Sequence, residues 1–226
     1  MRRGDTLILF VKEPRLGRVK SRLARGIGAS AALAVYRELT RAACRRIGFD
    51  RRWRMVLMTT PDRARSRDWP RSLEREGQGC GHLGRRMAQA LRRLARPRAI
   101  LVGSDVPGLS PDLIRRGFQA LGRAPFVFGP ALDGGYWLIG WRRGAWPMGA
   151  LERVRWSSPH ALEDSLASIG RRRSTLIDRL RDLDDVDDYK AWRRNRRGYS
   201  AALRPDSRKG ASTSRWKASQ PMQRLR

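Results

Sequence analysis

Cysteine is nearly absent from this sequence: Cys44 and Cys80 are the only two. A disulfide framework is not expected, and a reducing cytoplasm is the simplest home. Long apolar runs are absent as well. No stretch of 18 or more apolar residues occurs, so no membrane-spanning helix is expected. The apolar run Thr6–Val11 is short and stops at Lys12, so it reads as a strand and not as a signal peptide. Acidic residues are scarce: 21 Asp/Glu face 50 Lys/Arg, for a net charge of +29. That balance invites a nucleic-acid binder. The arginines, however, are spread over nearly every segment and form no single stripe, and a GC-rich genome raises arginine content without any functional demand. No specific nucleic-acid partner is expected, although nonspecific adhesion to polyanions is.

What is present suits one α/β domain. A hydrophobic fraction of 40% over 226 residues is enough for a full core with a tail. Strand-like and helix-like stretches alternate. Strands are expected at Thr6–Val11, Trp53–Thr59, Ala99–Gly103, Pro125–Phe128, Tyr136–Trp141 and Thr175–Asp178. Helices are expected at Ala31–Ile47, His82–Leu94, Pro111–Leu121 with Ser110 as N-cap, Ser158–Ile169 and Asp185–Arg194. Alternation of this kind implies helices covering a mainly parallel sheet, with ligands beyond the carboxyl ends of the strands. The domain is expected over residues 1–192. Residues 193–226 hold 11 Lys/Arg, one Asp and few aliphatic side chains, and read as a basic disordered tail.

Five motifs carry possible chemistry. After the first strand, Lys12 to Leu23 contains Gly17 with Lys12, Arg18, Lys20 and Arg22. Such a loop offers N–H groups and cations to phosphates, although it lacks the Walker A spacing. Gly79-Cys80-Gly81-His82-Leu83-Gly84 matches G-x-G-x-x-G, but the polar stretch Arg71–Gln78 before it does not read as a strand, so a dinucleotide fingerprint is rejected. His82, one of only two histidines, reads as a cap or surface residue. Gly103-Ser104-Asp105 ends a buried strand in a carboxylate, a good place for a hard cation or, more blandly, a turn. Asp133-Gly134-Gly135 reads as a hairpin turn, or as a glycine pair that a substrate approaches closely with Asp133 facing it. Asp182 to Asp188 is the only acidic cluster. Asp185 suits a helix cap, while Asp182 and Asp184, two apart in an extended segment, point to one side and could complete a metal site begun by Asp105.

Taken in order, the phosphate loop, Gly-Ser-Asp-x-Pro-Gly-Leu, Gly-Pro-x-x-Asp-Gly-Gly-Tyr-x-Leu-Ile-Gly, Trp156-Ser157-Ser158 and the terminal Asp-x-Asp resemble one bacterial family of GT-A-like glycosyltransferases. That family is related to phospholactate guanylyltransferase and, more remotely, to molybdenum-cofactor guanylyltransferase. The resemblance spans roughly Thr6 to Trp192. It implies a nucleotide-diphospho-sugar transferase fold, a three-layer α/β sandwich on a mixed, mainly parallel sheet. It also implies that Asp105, Asp182 and Asp184 hold Mg2+ or Mn2+, and that Lys12 through Arg22 binds phosphates. Ser21 stands where the family more often has threonine, and His82 where it often has aspartate.

The resulting expectation is a metal-dependent transferase using an activated nucleotide. Lys12, Gly17, Arg18, Lys20 and Arg22 would bind phosphate. Asp133, Gly134 and Gly135 would face a small-molecule acceptor, with Asp105 and Asp133 as catalytic groups. Glycosyl transfer from a nucleotide sugar leads; guanylyltransferase-like nucleotidyl transfer to a phosphorylated small molecule is the alternative. A basic nucleotide- or RNA-binding module without catalysis is a third reading, weakened by carboxylates that would repel a phosphate.

Overall fold

The computed structural model describes residues 4–194. Among these residues seven strands form one sheet: β1 (Thr6–Lys12), β2 (Arg54–Thr60), β3 (Glu74–Gly77), β4 (Arg98–Gly103), β5 (Phe126–Pro130), β6 (Tyr136–Arg142) and β7 (Ser174–Leu176). Their order is β3-β2-β1-β4-β6-β5-β7, and only β6 runs against the rest. The helices are α1 (Ser21–Ile27), α2 (Ala29–Ile47), α3 (Leu83–Leu94), α4 (Pro111–Arg123), α5 (Ala161–Ser168) and α6 (Val186–Arg194). Among them no helix is long and apolar enough to cross a membrane.

The two-residue side-chain period of the strands divides the core. Leu7, Leu9 and Val11 of β1 pack on one face with Ala43 and Ile47 of α2 and Leu113 and Phe118 of α4. Ile8 of the same strand packs on the other face with Met87, Leu91 and Leu94 of α3 and Ala161 of α5. The result is a helix–sheet–helix sandwich, the expected α/β architecture. A third, smaller cluster joins α1, α2 and α6 through Leu23, Val35, Leu39, Leu183 and Trp192. It holds the segment after β1 against the segment before α6, which decides where Lys20 and Asp184 lie.

Two elements were not expected. Ser21–Ile27 is helical, although only Leu23 of it is buried. Glu74–Gly77 is a strand at the sheet edge, paired with β2. The polarity that argued against a strand there is what an edge requires: Glu74 faces water and pairs across the ladder with Arg54. The strand demanded by the glycine motif therefore exists. The space beside its last glycine is filled by protein, since a Cβ on Gly84 would meet the Leu151 carbonyl oxygen and the Trp156 ring. Helix α6 ends at Arg194, as the expected helix Asp185–Arg194 does. The expected tail lies, from residue 195 on, outside the described residues.

One buried ion pair ties the layers together where β1 and β4 begin. Asp5 is fully buried and takes Arg98 on both oxygens, at 2.8 and 2.5 Å, while Arg98 Nη1 donates to the Phe118 carbonyl of α4 at 2.7 Å. Removing one partner strands the other charge, at a cost of about 3–5 kcal/mol. Asp5→Ala is expected to lose that much in urea unfolding. A loss below about 1 kcal/mol would show the pair to be dispensable.

Candidate functional site

The carboxyl ends of β1, β2 and β4, the β5–β6 turn and the segment before α6 enclose a cleft of about 780 Å³. Its lining includes Lys12, Arg18, Lys20, Arg22, Asp105, Asp133 and Asp184. Seven of the eleven residues expected from the sequence thus meet in one place. Gly17, Gly134, Gly135 and Asp182 do not line it.

Lys20 is the centre. Its Nζ donates to Asp105 Oδ2 at 2.9 Å and to Asp184 Oδ1 at 2.8 Å, and its side chain is only 5% exposed. The residue precedes α1 in a left-handed conformation (φ 49°, ψ 48°), uncommon for a side chain with a Cβ. Burial works against its ammonium, but Asp105 and Asp184 outweigh burial and hold its pKa above the ordinary lysine value. For Asp105 burial raises the pKa, and the Lys20 charge and hydrogen bond overcome this and keep the carboxyl below its usual range.

Asp182 is the opposite case. It is half-buried, and its Oδ1 is buried without a hydrogen-bond partner. Burial, then the charges of Asp105, Asp184 and Asp133, push its pKa up to about 8. Between Asp182 and Asp184, Leu183 enters the α1–α2–α6 cluster and its N–H donates to the Asp105 carbonyl at 3.3 Å. Anchoring Leu183 brings the two flanking aspartates to the end of β4.

Four carboxylates against one enclosed ammonium leave an uncompensated negative charge and an orphaned oxygen, and the donor set is the hard-oxygen kind that Mg2+ or Mn2+ takes. The geometry differs from the expectation in one respect. Among the described residues no group of three or more His, Cys, Asp or Glu side chains is arranged to hold a metal ion. Asp105 and Asp184 are instead turned to Lys20, which therefore serves the carboxylates and is not free as a phosphate clamp. Lys12, Arg18 and Arg22 are exposed, and among the described residues none has a carboxylate partner.

The Asp-Gly-Gly stretch is a hairpin turn, the plainer of its two readings. Asp133 Oδ1 accepts from the Gly135 N–H at 2.9 Å, which holds the carboxylate at the cleft. The close approach at Gly134 is made by protein and not by substrate: a Cβ there would collide with the Pro159 carbonyl oxygen. Gly17 has φ 70° and open space around it, so its role is conformational. His82 caps α3, its Nδ1 accepting from the Arg85 N–H at 3.4 Å while Nε2 lies 3.0 Å from Glu152. Tyr36, Gln78 and Arg86 also line the cleft, and no motif singled them out. Tyr36 Oη accepts from the Lys12 N–H at 2.7 Å and donates to its carbonyl at 2.8 Å, fixing the start of the basic loop. A polar residue on the buried face of α2 was the available signal.

Residues 43–158, just over half of the chain, match a family described as "uncharacterized protein conserved in bacteria", DUF2064. The chain belongs to that family. Asp105 and Asp133 fall inside the matched segment, whereas the basic loop and Asp182–Asp184 flank it. The DUF2064 chain is similar in structure to a Desulfovibrio desulfuricans protein named as a nucleotide-diphospho-sugar transferase, with 24% identity, 86% of this chain and 88% of that one covered, and a TM-score of 0.77. It is also similar to the 2-C-methyl-D-erythritol 4-phosphate cytidylyltransferase of Thermus thermophilus, at 16% identity, 87% and 100% coverage and a TM-score of 0.50. A third likeness is the 4-diphosphocytidyl-2C-methyl-D-erythritol synthase of Anaerococcus prevotii, at 9% identity, 84% and 96% coverage and a TM-score of 0.51. These likenesses show the fold, a GT-A-like one. No curated protein matches the chain.

The raised pKa of Asp182 yields a test. Its folded value near 8 exceeds the unfolded 3.8, so ionisation disfavours the fold, and stability falls as pH rises from about 4 through about 8. Asp182→Asn is expected to melt above the wild type at about pH 8.5 in a chelator, with the gap closing by about pH 5. An equal gap at both values would contradict the crowding of charge around Asp182.

Proposed function

We propose that the cleft binds an activated nucleotide by its phosphates and transfers a group from it to a small acceptor. The observation that carries this reading is the Lys20–Asp105–Asp184 centre beside the unpaired cations Lys12, Arg18 and Arg22 in one cleft. A free phosphate chain is drawn to the three exposed cations, where charge-assisted hydrogen bonds contribute about 1.5–3 kcal/mol each. Mg2+ or Mn2+ held by Asp105, Asp182 and Asp184 would neutralise phosphate charge when bound. Lys20 keeps Asp105 ionised and holds Asp184 in place. Asp133, steadied by the Gly135 N–H, faces the cleft as the carboxylate able to take a proton from an acceptor hydroxyl.

Glycosyl transfer from a nucleotide sugar is the leading reaction, in line with the resemblance and with the name carried by the Desulfovibrio protein. Nucleotidyl transfer to a phosphorylated small molecule is favoured by the two cytidylyltransferase-type folds. The leaving group separates them: a nucleoside diphosphate in the first reaction, pyrophosphate in the second. A polyanion-binding module fits less well, because the three carboxylates lining the cleft, Asp105, Asp133 and Asp184, oppose nucleic acid. Two free thiols, Cys44 buried and Cys80 exposed, suit the cytoplasm.

Nucleoside triphosphates and nucleotide sugars, screened by thermal shift with and without Mg2+, test the reading. For the nucleotide that binds, Arg22→Ala is expected to raise Kd about tenfold or more. The control Arg171→Ala, outside the cleft, should change it little, and Asp105→Asn should remove the dependence on Mg2+. Equal small losses at Arg22 and Arg171 would reduce the loop to a diffuse basic surface.

A further inference from the structure

Arg86, in the first turns of α3, lines the cleft from the α3–α5 face of the sheet. Its Nη1 donates to Gln78 Oε1 at 2.6 Å. Gln78 is 4% exposed, and its Nε2 donates to the carbonyls of Val11 at 3.1 Å and Met58 at 2.8 Å. Both amide hydrogens are thus spent on the ends of β1 and β2, and the amide oxygen is spent on the guanidinium. A buried side chain is committed to holding Arg86 still.

Arg86 itself is under-used. A guanidinium has about five N–H donors, and this one makes a single side-chain bond. Its Nε is buried without an acceptor, and among the described residues no carboxylate pairs with it. The other cations of the cleft differ: Lys20 is neutralised by two aspartates, while Lys12, Arg18 and Arg22 stand in water. A half-buried, immobilised guanidinium without a counter-ion is costly in the free protein, and the cost is recovered when a ligand supplies the anion. The planar fork suits phosphate or carboxylate. The same wall of the cleft is apolar, with Leu83 and Met87 on α3 and Tyr136 and Ile139 on β6.

We propose that Arg86, held by Gln78, is an anion-recognition residue that selects an acceptor carrying a phosphate or carboxylate on an apolar body. The proposal rests on the reading of the cleft as a substrate site, with the donor phosphates at the basic loop and the acceptor anion at Arg86. A donor phosphate has the same chemistry, so the test separates the two sources.

Phenyl phosphate serves as the anionic probe, phenol as its uncharged control, and the Mg2+ complex of the best-binding panel nucleotide as the donor probe, all titrated calorimetrically. The wild type is expected to bind phenyl phosphate and not phenol, with the nucleotide already bound. Arg86→Met should weaken phenyl phosphate by about tenfold or more, Arg86→Lys should weaken it less, and Arg171→Ala, outside the cleft, should leave it unchanged. Nucleotide affinity of Arg86→Met should stay within about threefold of wild type. Matching melting temperatures for Arg86→Lys and wild type guard against a folding defect. The proposal is overturned if phenyl phosphate binds wild type and Arg86→Met alike, or fails to bind the wild type. It is also overturned if Arg86→Met weakens the nucleotide as much as the probe, which would assign Arg86 to the donor. If no nucleotide binds but the Arg86 effect on the probe persists, the anion subsite stands and the nucleotide reading falls.

Discussion

The Lys20 ammonium between Asp105 and Asp184 is the contact on which the cleft depends. It joins three separate pieces of chain: the loop after β1, the end of β4 and the segment before α6. Nothing local would bring these pieces together. They meet because Leu23 and Leu183 enter one hydrophobic cluster with α2, which leaves their polar neighbours at the strand ends. The charges then make a meeting place that apolar burial has already chosen. Such a buried arrangement contributes less to net stability than to position, since desolvation offsets much of the attraction.

The same contact explains why four aspartates tolerate one another. Asp105 stays ionised because Lys20 faces it, and Asp182, which Lys20 does not bond, carries the crowding as an orphaned oxygen and a raised pKa. A centre in this state holds more negative charge than its single lysine compensates. In the proposed reading, a divalent cation arriving with the substrate phosphates would offset that surplus. The extreme net charge of +29 has little part in this. Most arginines among the described residues lie on the outside, and the decisive cation is a lysine that is almost fully enclosed.

Much of this could be read in the sequence. Buried strands ending in polar motifs, such as Ala99 to Asp105, announce both the sheet and the edge where the cleft lies, because burial on both faces demands a continuous apolar run. The helix at Pro111 is declared by Ser110 and the proline itself, and Ser110 does cap it. What stayed hidden has physical causes. β3 is polar because it is an edge, and α1 buries a single leucine, so neither carries a periodic pattern. That Lys20 turns to the carboxylates and not outward to phosphate is a matter of three-dimensional neighbours. So is the pairing of Gln78 with Arg86, eight residues apart across a turn. Gly134 is the instructive case: the motif was legible, but the body close to it is Pro159 of the same chain.

A crystal structure of the protein soaked with Mg2+ and the best-binding nucleotide would show whether the cleft takes nucleotide phosphates and a cation. The expected result is phosphate oxygens within hydrogen-bonding distance of Arg18 or Arg22, and a cation on Asp105 and Asp182. Phosphates bound elsewhere, with Lys20 still joining Asp105 and Asp184 and no cation beside Asp182, would contradict it.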